Sequence, residues 1–365
     1  MRKCLRIFAL GGNEVAPTDI VDPKTGKTIN PDIPAQWRRA AKTCDLLSEI
    51  IQTYPDDYFV VTHGNGPQVG NLLLRSEYSL PILPPIPLDV MVADTQGAMG
   101  FMLAHIANAL RVRGIKKQLV TTVTQVVVDP DDPDFKDPSK FIGPAYTNEQ
   151  AHEKEREGQL FKLYKKNDQG KEIWRRVVGS PKPIDIVEIE VIEANLKAGF
   201  IPITVGGGGI PVRPVQPRIV DGEEIYECRH DVSFRRAYRN EKAAVVYSGV
   251  DAVIDKDLAS SLLGTMLIRR AAERKEDLEA EFTIFTNVDG AKLNFGEPNQ
   301  KDLRRLTANE AQQLCDTGHF PAGSMGPKIQ AAVNFVRGGG RRACITTVAS
   351  FHETLAGNAG TTIVP

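Results

Sequence analysis

One rhythm constrains this chain more than anything else. Short β-rich runs end in glycine turns, and amphipathic helices follow them. Leu5 to Leu10 leads into Gly11-Gly12-Asn13, and Tyr58 to Thr62 leads into His63-Gly64-Asn65-Gly66. Ile201 to Val205 leads into four glycines, Gly206 to Gly209, and Thr283 to Asn287 leads into Val288-Asp289-Gly290. Ala343 to Val348 reads as a late strand. Trp37, Ala40, Ala41, Cys44 and Leu47 fit one helical face. Met99, Met102, Leu103, Ile106 and Leu110 fit another, and Ile329, Ala332, Val333 and Val336 a third. Such alternation predicts an α/β fold with a mainly parallel sheet covered on both faces, and ligands bind beyond the carboxyl ends of its strands.

Three segments break the rhythm. Residues 17–35 are polar and proline-punctuated and read as a surface excursion, and 211–240 read as a long loop or hairpin. Residues 129–185 open on Asp129-Pro130-Asp131-Asp132-Pro133 and carry a charged stretch, which fits a small protruding lid. A chain of 365 residues with 41% hydrophobic content can bury a large core, as one big domain or as two. Its formal net charge of −1, with both signs interspersed, argues against a nucleic-acid binder. No apolar run approaches the ~18 residues of a membrane span. The N-terminus enters a strand almost at once, so a cytoplasmic protein without a leader is expected. Cys4, Cys44, Cys228, Cys315 and Cys344 form no C-x-x-C pair and read as free thiols, mostly in the core.

Glycine lets backbone N–H groups approach an anion, and a helix N-terminus adds about half a positive charge. Gly64-Asn65-Gly66-Pro67 suits this, since proline is at home in the first helical turn. Gly323-Ser324-Met325-Gly326-Pro327-Lys328 repeats the design and puts a lysine where it opposes the helix dipole, which an anionic ligand would justify. Any one of these glycines also fits an ordinary tight turn; together they point to an anion site. There is no G-x-x-x-x-G-K-[ST] loop and no G-x-G-x-x-G spacing after the first strand, so the two commonest nucleotide folds are excluded. The six histidines show no metal-ligand spacing, so no protein-held metal is expected, and His63 is read as structural.

These residues, taken in order, resemble the amino-acid kinase superfamily and, within it, the carbamate kinases. The resemblance spans most of the chain. It rests on Ala9 to Asn13, Val61 to Gly70, Pro87 to Val90, Val123 to Val126 and Trp174 to Val178. Gly206 to Val212, Ala252 to Ala259 and Gly318 to Lys328 complete it. The resemblance implies an open three-layer αβα sandwich over 1–365 with a lid inserted at 129–185. It also implies a homodimer and reversible transfer between ATP and carbamate, through carbamoyl phosphate and ADP.

Carbamate is already an anion, so the reaction needs little proton chemistry; it needs cations that bring anions together. The resemblance assigns Lys328 to the ATP phosphates, Lys256 to the transferred phosphate and Lys140 to the lid over the substrate. Asp257 would orient the lysines, though it also reads as the N-cap of a helix opening at 257. Gly11, Gly12, Asn13, Asn65 and Gly66 would cradle carbamate and γ-phosphate, with Gly207 and Gly208 lining the same pocket. Thr286, Asn287, Asp289 and Met325 would hold nucleotide together with Lys328. Magnesium would arrive on the nucleotide phosphates. Arg175 and Arg176 fit either a phosphate clamp or the lid surface.

Some positions depart from the family pattern. They are Glu14 beside the first glycine turn, Thr95, Gly179 after Val178, Lys292 near the nucleotide turn, and the long stretches at 17–35 and 211–240. An enzyme with another carboxylate acceptor, or a silent nucleotide or carbamoyl-phosphate sensor, are the competing readings.

Overall fold

A computed structural model describes residues 3–17, 32–167, 169–237, 244–321 and 323–365. Most of the predicted excursion at 17–35 lies outside the described residues.

The main sheet contains β1 (Cys4–Leu10), β2 (Tyr58–His63), β3 (Leu119–Thr121), β9 (Ile201–Ile203), β15 (Glu279–Phe285), β18 (Arg305–Thr307), β19 (Arg342–Thr346) and β20 (Thr361–Val364). Its order is β18-β20-β19-β15-β1-β2-β9-β3, and every pairing is parallel except β19 with β20. The central strands β1 and β15 are buried nearly throughout because both of their faces are covered. Successive residues of β1 alternate between two cores. Leu5, Ile7 and Ala9 join α7 (Ile189–Lys197), α8 (Lys256–Glu273) and α10 (Met325–Arg337). Phe8 and Leu10 join α2 (Ile33–Thr53), α4 (Leu88–Leu103), α5 (His105–Val112) and α11 (Phe351–Ala356). Helices therefore cover the sheet on both sides, as the rhythm predicts.

Details differ from the sequence reading. The stripe Met99 to Leu110 is buried as expected, but its helix is broken at Ala104 into α4 and α5. Ala41, placed on the apolar face of α2, is exposed. Residues 211–240 begin in β10 (Ile210–Val215) and continue as an antiparallel meander of β11 (Arg218–Val220), β12 (Glu223–Glu227) and β13 (Ser233–Ala237). The hairpin alternative is therefore the right one. β10 also joins a second sheet with β4 (Gln125–Val128), β8 (Pro183–Ile186) and β14 (Val246–Gly249). Among the cysteines, Cys4, Cys44 and Cys344 are buried, Cys228 and Cys315 half-buried, and all are free.

Segment 129–185 carries its own three-stranded sheet, β5 (Lys140–Tyr146), β7 (Glu172–Val178) and β6 (Phe161–Lys166), with α6 (Asn148–Glu155). α6 is stopped at its N-terminus by a full capping box, Thr147 with Gln150. This sheet sits on α3 (Gly66–Ser79), where Ile142 and Val178 enter a small core with Val69, Leu73 and Met91. Gly143, at φ +67°, brings its backbone against Gly70 of α3. Two further helices complete the chain: α1 (Gly12–Val15) and α9 (Ala308–Asp316). So does the short ribbon β16 (Lys292–Leu293) with β17 (Lys301–Asp302).

α8 lies close to the sheet because Gly264 has no side chain. A Cβ there would lie 2.6 Å from Ile7 Cδ1 and from Phe335 Cε2. Gly264→Ala gains about 1 kcal/mol of helix propensity but overpacks the core at a cost of about 1–3 kcal/mol. A net loss of about 1 kcal/mol is expected in a denaturant titration. A midpoint that stays put or rises would mean that α8 has slack against the sheet.

Candidate active site

The carboxyl ends of five parallel strands, β9, β2, β1, β15 and β19, are stitched together at one edge of the sheet. Gly11 N–H donates to the Phe285 carbonyl at 3.0 Å, Gly64 N–H to Leu10 at 2.9 Å, Thr204 N–H to Val61 at 3.0 Å, and Thr286 N–H to Thr346 at 2.8 Å. The glycine turns predicted from the rhythm therefore share one face. A Cβ on Gly64 would meet Gly12 N and the Lys256 side chain, each at 3.3 Å, so the first two turns and this lysine are immediate neighbours. Nothing stands within 4 Å of the Cβ direction of Gly66, which leaves the mouth of α3 open.

At the centre is Asp257, whose side chain is 2% exposed. One of its oxygens takes the Lys256 ammonium, and the other takes Lys328 Nζ at 2.9 Å. Burial pushes the carboxyl up, but the two ammonium groups overrule it and hold it at about 2. Burial lowers Lys256, helped by Lys328 and resisted by Asp257. Lys328 is lowered by burial and raised more by Asp257, so it ends above its usual value. The two ammonium groups thus share one counter-ion, which outweighs burial at Lys328 and opposes it in part at Lys256. α8 is tied down locally: Ser260 Oγ donates to the Lys256 carbonyl at 2.6 Å and bonds Thr62 Oγ1 of β2 at 2.7 Å.

The helix does not open at Asp257. It begins at Lys256, and its N-cap is Asp255, whose Oδ1 accepts from the N–H groups of Asp257 and Leu258 at 2.9 and 3.3 Å. The capping role read for Asp257 therefore belongs to Asp255, which leaves Asp257 free for the lysines. The other oxygen of Asp255 holds Lys140 Nζ of the lid at 3.2 Å. All three predicted lysines thus converge on two carboxylates two residues apart.

Asn65 is buried and donates from Nδ2 to Thr95 Oγ1 at 2.8 Å, while Thr95 bonds the α4 carbonyls of Met91 and Val92. The departure at Thr95 thus still supplies the hydroxyl that orients Asn65. Gly207 and Gly208 are buried behind this group. A Cβ on Gly207 would fall 2.1 Å from the Asn65 amide, and one on Gly208 would fall 2.3 Å from the Ile254 carbonyl. Their missing side chains make room for Asn65 and for the Ile254 carbonyl. His63 is 1% exposed, drawn down to about 4 chiefly by burial, and its ring abuts Gly206. That fits the structural role read for it. Asn13, at the start of α1, offers its carbonyl to Arg39 at 3.3 Å. Glu14 is raised by burial, and the cations that temper it are Arg39 and Lys42 of α2, away from the lysine trio.

Beside Lys328 is a cavity of about 240 Å³ lined by Thr286, Asn287, Phe320, Pro321, Met325 and Lys328, among others. Asp289 does not line it. Its carboxylate accepts from Gly360 N–H at 2.6 Å and from Arg304 at 2.8 Å, which pins the turn from behind. Phe320 and Pro321 lie inside the Gly318 to Lys328 stretch, and their apolar character is the only sequence signal for their place in the lining. Lys292 lines the cavity and is engaged by Asp302. Two larger hollows, of about 470 and 420 Å³, contain none of the predicted lysines or glycine turns, though Arg176 lines the second. Of the three predicted lysines, Lys328 lines the smaller cavity. Arg175 donates to the Gly143 carbonyl at 2.8 Å and so braces the lid.

A parallel sheet with glycine turns at its carboxyl edge, a lysine cluster on a buried carboxylate and an adjoining cavity are the parts of a phosphotransferase. No protein-family model matches the chain. It is 37% identical over 360 residues to a carbamate kinase of Thermoplasma volcanium, covering 98% of this chain and 99% of the relative. It is 39% identical over 333 residues to that of Thermococcus kodakarensis, covering 90% and 92%. The solved carbamate kinase of Giardia lamblia bound to AMP-PNP superposes with a TM-score of 0.77 at 31% identity, covering 99% of this chain and 98% of that one. The chain belongs to the carbamate kinase family.

The depressed Asp257 carboxyl has a pH consequence. Its folded value of about 2 lies below the ordinary 3.8. Its contribution, about 2 kcal/mol, is complete above the ordinary value and is lost as pH falls through 2. The stability margin of the wild type over Asp257→Asn should therefore shrink between about pH 4 and pH 2. A margin that stays constant across that window in acid titrations would contradict this.

Proposed function

We propose that the lysine cluster carries out reversible, in-line phosphoryl transfer between carbamoyl phosphate and ADP, giving carbamate and ATP, with no covalent enzyme intermediate. The observation that supports it most directly is the pair of ammonium groups fixed on the one buried carboxylate of Asp257. Donors set in place before the reaction stabilise charge on the transferred group without reorganising. Lys256, next to the glycine turns, serves the transferred phosphoryl group. Lys328, between Asp257 and the cavity, serves the nucleotide phosphates. Lys140 reaches in from the lid. The nucleotide base and sugar occupy the cavity between Thr286–Asn287 and Phe320–Met325.

Among the described residues, no three His, Cys, Asp or Glu side chains gather into a metal cage. The two carboxylates of the site are already held by lysines. These side chains do not fit a resident magnesium, so the ion is assigned to the nucleotide phosphates. A homodimer is proposed on the resemblance, and exposed apolar side chains such as Tyr78, Ile82 and Phe101 offer surface for it. Among the described residues no helix is long and apolar enough to cross a membrane.

Purified protein mixed with ADP, magnesium and carbamoyl phosphate should form ATP. Lys328→Ala and Lys256→Ala should each slow it by roughly 10²–10³ while the chain stays folded. Lys140→Ala should act mainly on the carbamoyl-phosphate side. A folded lysine variant within a few-fold of wild type would remove that residue's role, and an inactive wild type that still binds nucleotide would remove the acceptor.

A further inference from the structure

The lid reaches the lysine cluster through two contacts that share one short segment. At the lid root, Val253 N–H donates to the Gly179 carbonyl at 2.9 Å, just beyond the end of β7. Gly179 also forms an isolated bridge with Ala252. Two residues after Val253, Asp255 divides its carboxylate. Oδ1 caps α8, and Oδ2 pairs with Lys140 at 3.2 Å. Lys140 is the first residue of β5, and it pairs with Val178, the last residue of β7. The strand that carries the lysine, the root of the lid and the cap of the catalytic helix therefore meet at residues 252–255.

A lysine side chain is flexible, and ordering one costs up to about 2 kcal/mol of rotamer entropy. Lys140 is 40% exposed in its side chain, and Asp255 is its recorded anionic partner. We propose that Asp255 is a positioning residue. It holds the lid ammonium over the site before the phosphoryl donor arrives, while its other oxygen fixes the first turn of the helix that carries Lys256 and Asp257. The donor then meets a lysine that is already oriented, and Asp255 gives it up to the stronger charge of the phosphoryl group. Asp255 touches no substrate and acts through Lys140. The kinetic part of this inference rests on the phosphoryl-transfer reading; the part about the resting lid does not.

Asp255→Asn separates the two functions of the carboxylate, because asparagine caps a helix about as well as aspartate but cannot pair with an ammonium group. A thermal melt close to wild type shows that the cap survives, and Lys140→Ala breaks the same pair from the other side. In ligand-free protein, hydrogen exchange at the start of β5 should rise in Asp255→Asn and in Lys140→Ala to a similar degree. It should rise no further in the double variant. In the ATP-forming assay, Asp255→Asn should lower kcat/KM for carbamoyl phosphate roughly three- to tenfold, as suits a partly exposed pair. Most of that loss should lie in KM, with KM for ADP little changed, and no further loss should appear in the Lys140→Ala background. Exchange at wild-type rates in both single variants would overturn the resting-lid contact whether or not the enzyme is active. Raised exchange with unchanged kinetics in an active wild type would overturn the positioning role alone. Equal losses with and without Lys140 would show that Asp255 acts only through the helix.

Discussion

Everything at the active edge depends on the buried carboxylate of Asp257. Two ammonium groups this close would repel one another, and burial would push both toward their neutral forms. A carboxylate between them opposes that: it carries Lys328 above its ordinary value and offsets part of the burial that keeps Lys256 below its own. The cost is a buried anion, which is tolerable only because both of its oxygens are engaged. The surrounding structure follows from this need. Gly264 allows α8 to sit close on the sheet, and Ser260 and Thr62 fasten its first turn. Asp255, by capping α8, leaves Asp257 to its lysines.

Glycine does two different jobs at this edge. At Gly66 the space is open, which is what a backbone that must meet an anion needs. At Gly207 and Gly208 the space is filled by Asn65 and by the Ile254 carbonyl, so these residues are small in order to let other parts of the protein in. Both have φ in the left-handed range, at +67° and +95°, which suits glycine alone. A glycine-rich turn thus reads the same in sequence whether its openness serves a ligand or a neighbour.

That ambiguity marks how far the sequence could be read. The strands, the glycine turns at their ends and the lysine block at 323–328 were visible because period and turn chemistry are local properties. So was the family, through ordered motifs. The resemblance already points Asp257 at the lysines, but that the cap belongs to Asp255 was not visible. Both aspartates flank a helix start, and the structure opens the helix at Lys256, with Asp257 bound to Lys328, 71 residues away in the chain. Asp289 is hard to read for a similar reason: it sits in the turn after β15, but its carboxylate is taken by Arg304 and Gly360, which immediately precede β18 and β20. The break at Ala104 was hidden because its apolar stripe runs on unbroken across two helices. The role of Thr95 depended on which side chain of another helix it would meet.

Helix α3 joins the two halves of this arrangement end to end. It starts at the open glycine mouth, and near its other end Glu77 receives the Tyr146 hydroxyl at 3.0 and 2.8 Å and Lys154 Nζ at 3.3 Å, both from the lid. Midway, Gly70 and Gly143 hold helix and lid in backbone contact. Fourteen residues of helix make a rod of roughly 21 Å. Pivoted at its mouth, such a rod works as a lever arm: a tilt of about 5° there travels about 1.4 Å at Glu77. The three-stranded sheet of 129–185 is fastened along that arm, so a rotation of α3 at its glycine end grows toward the grip at Glu77.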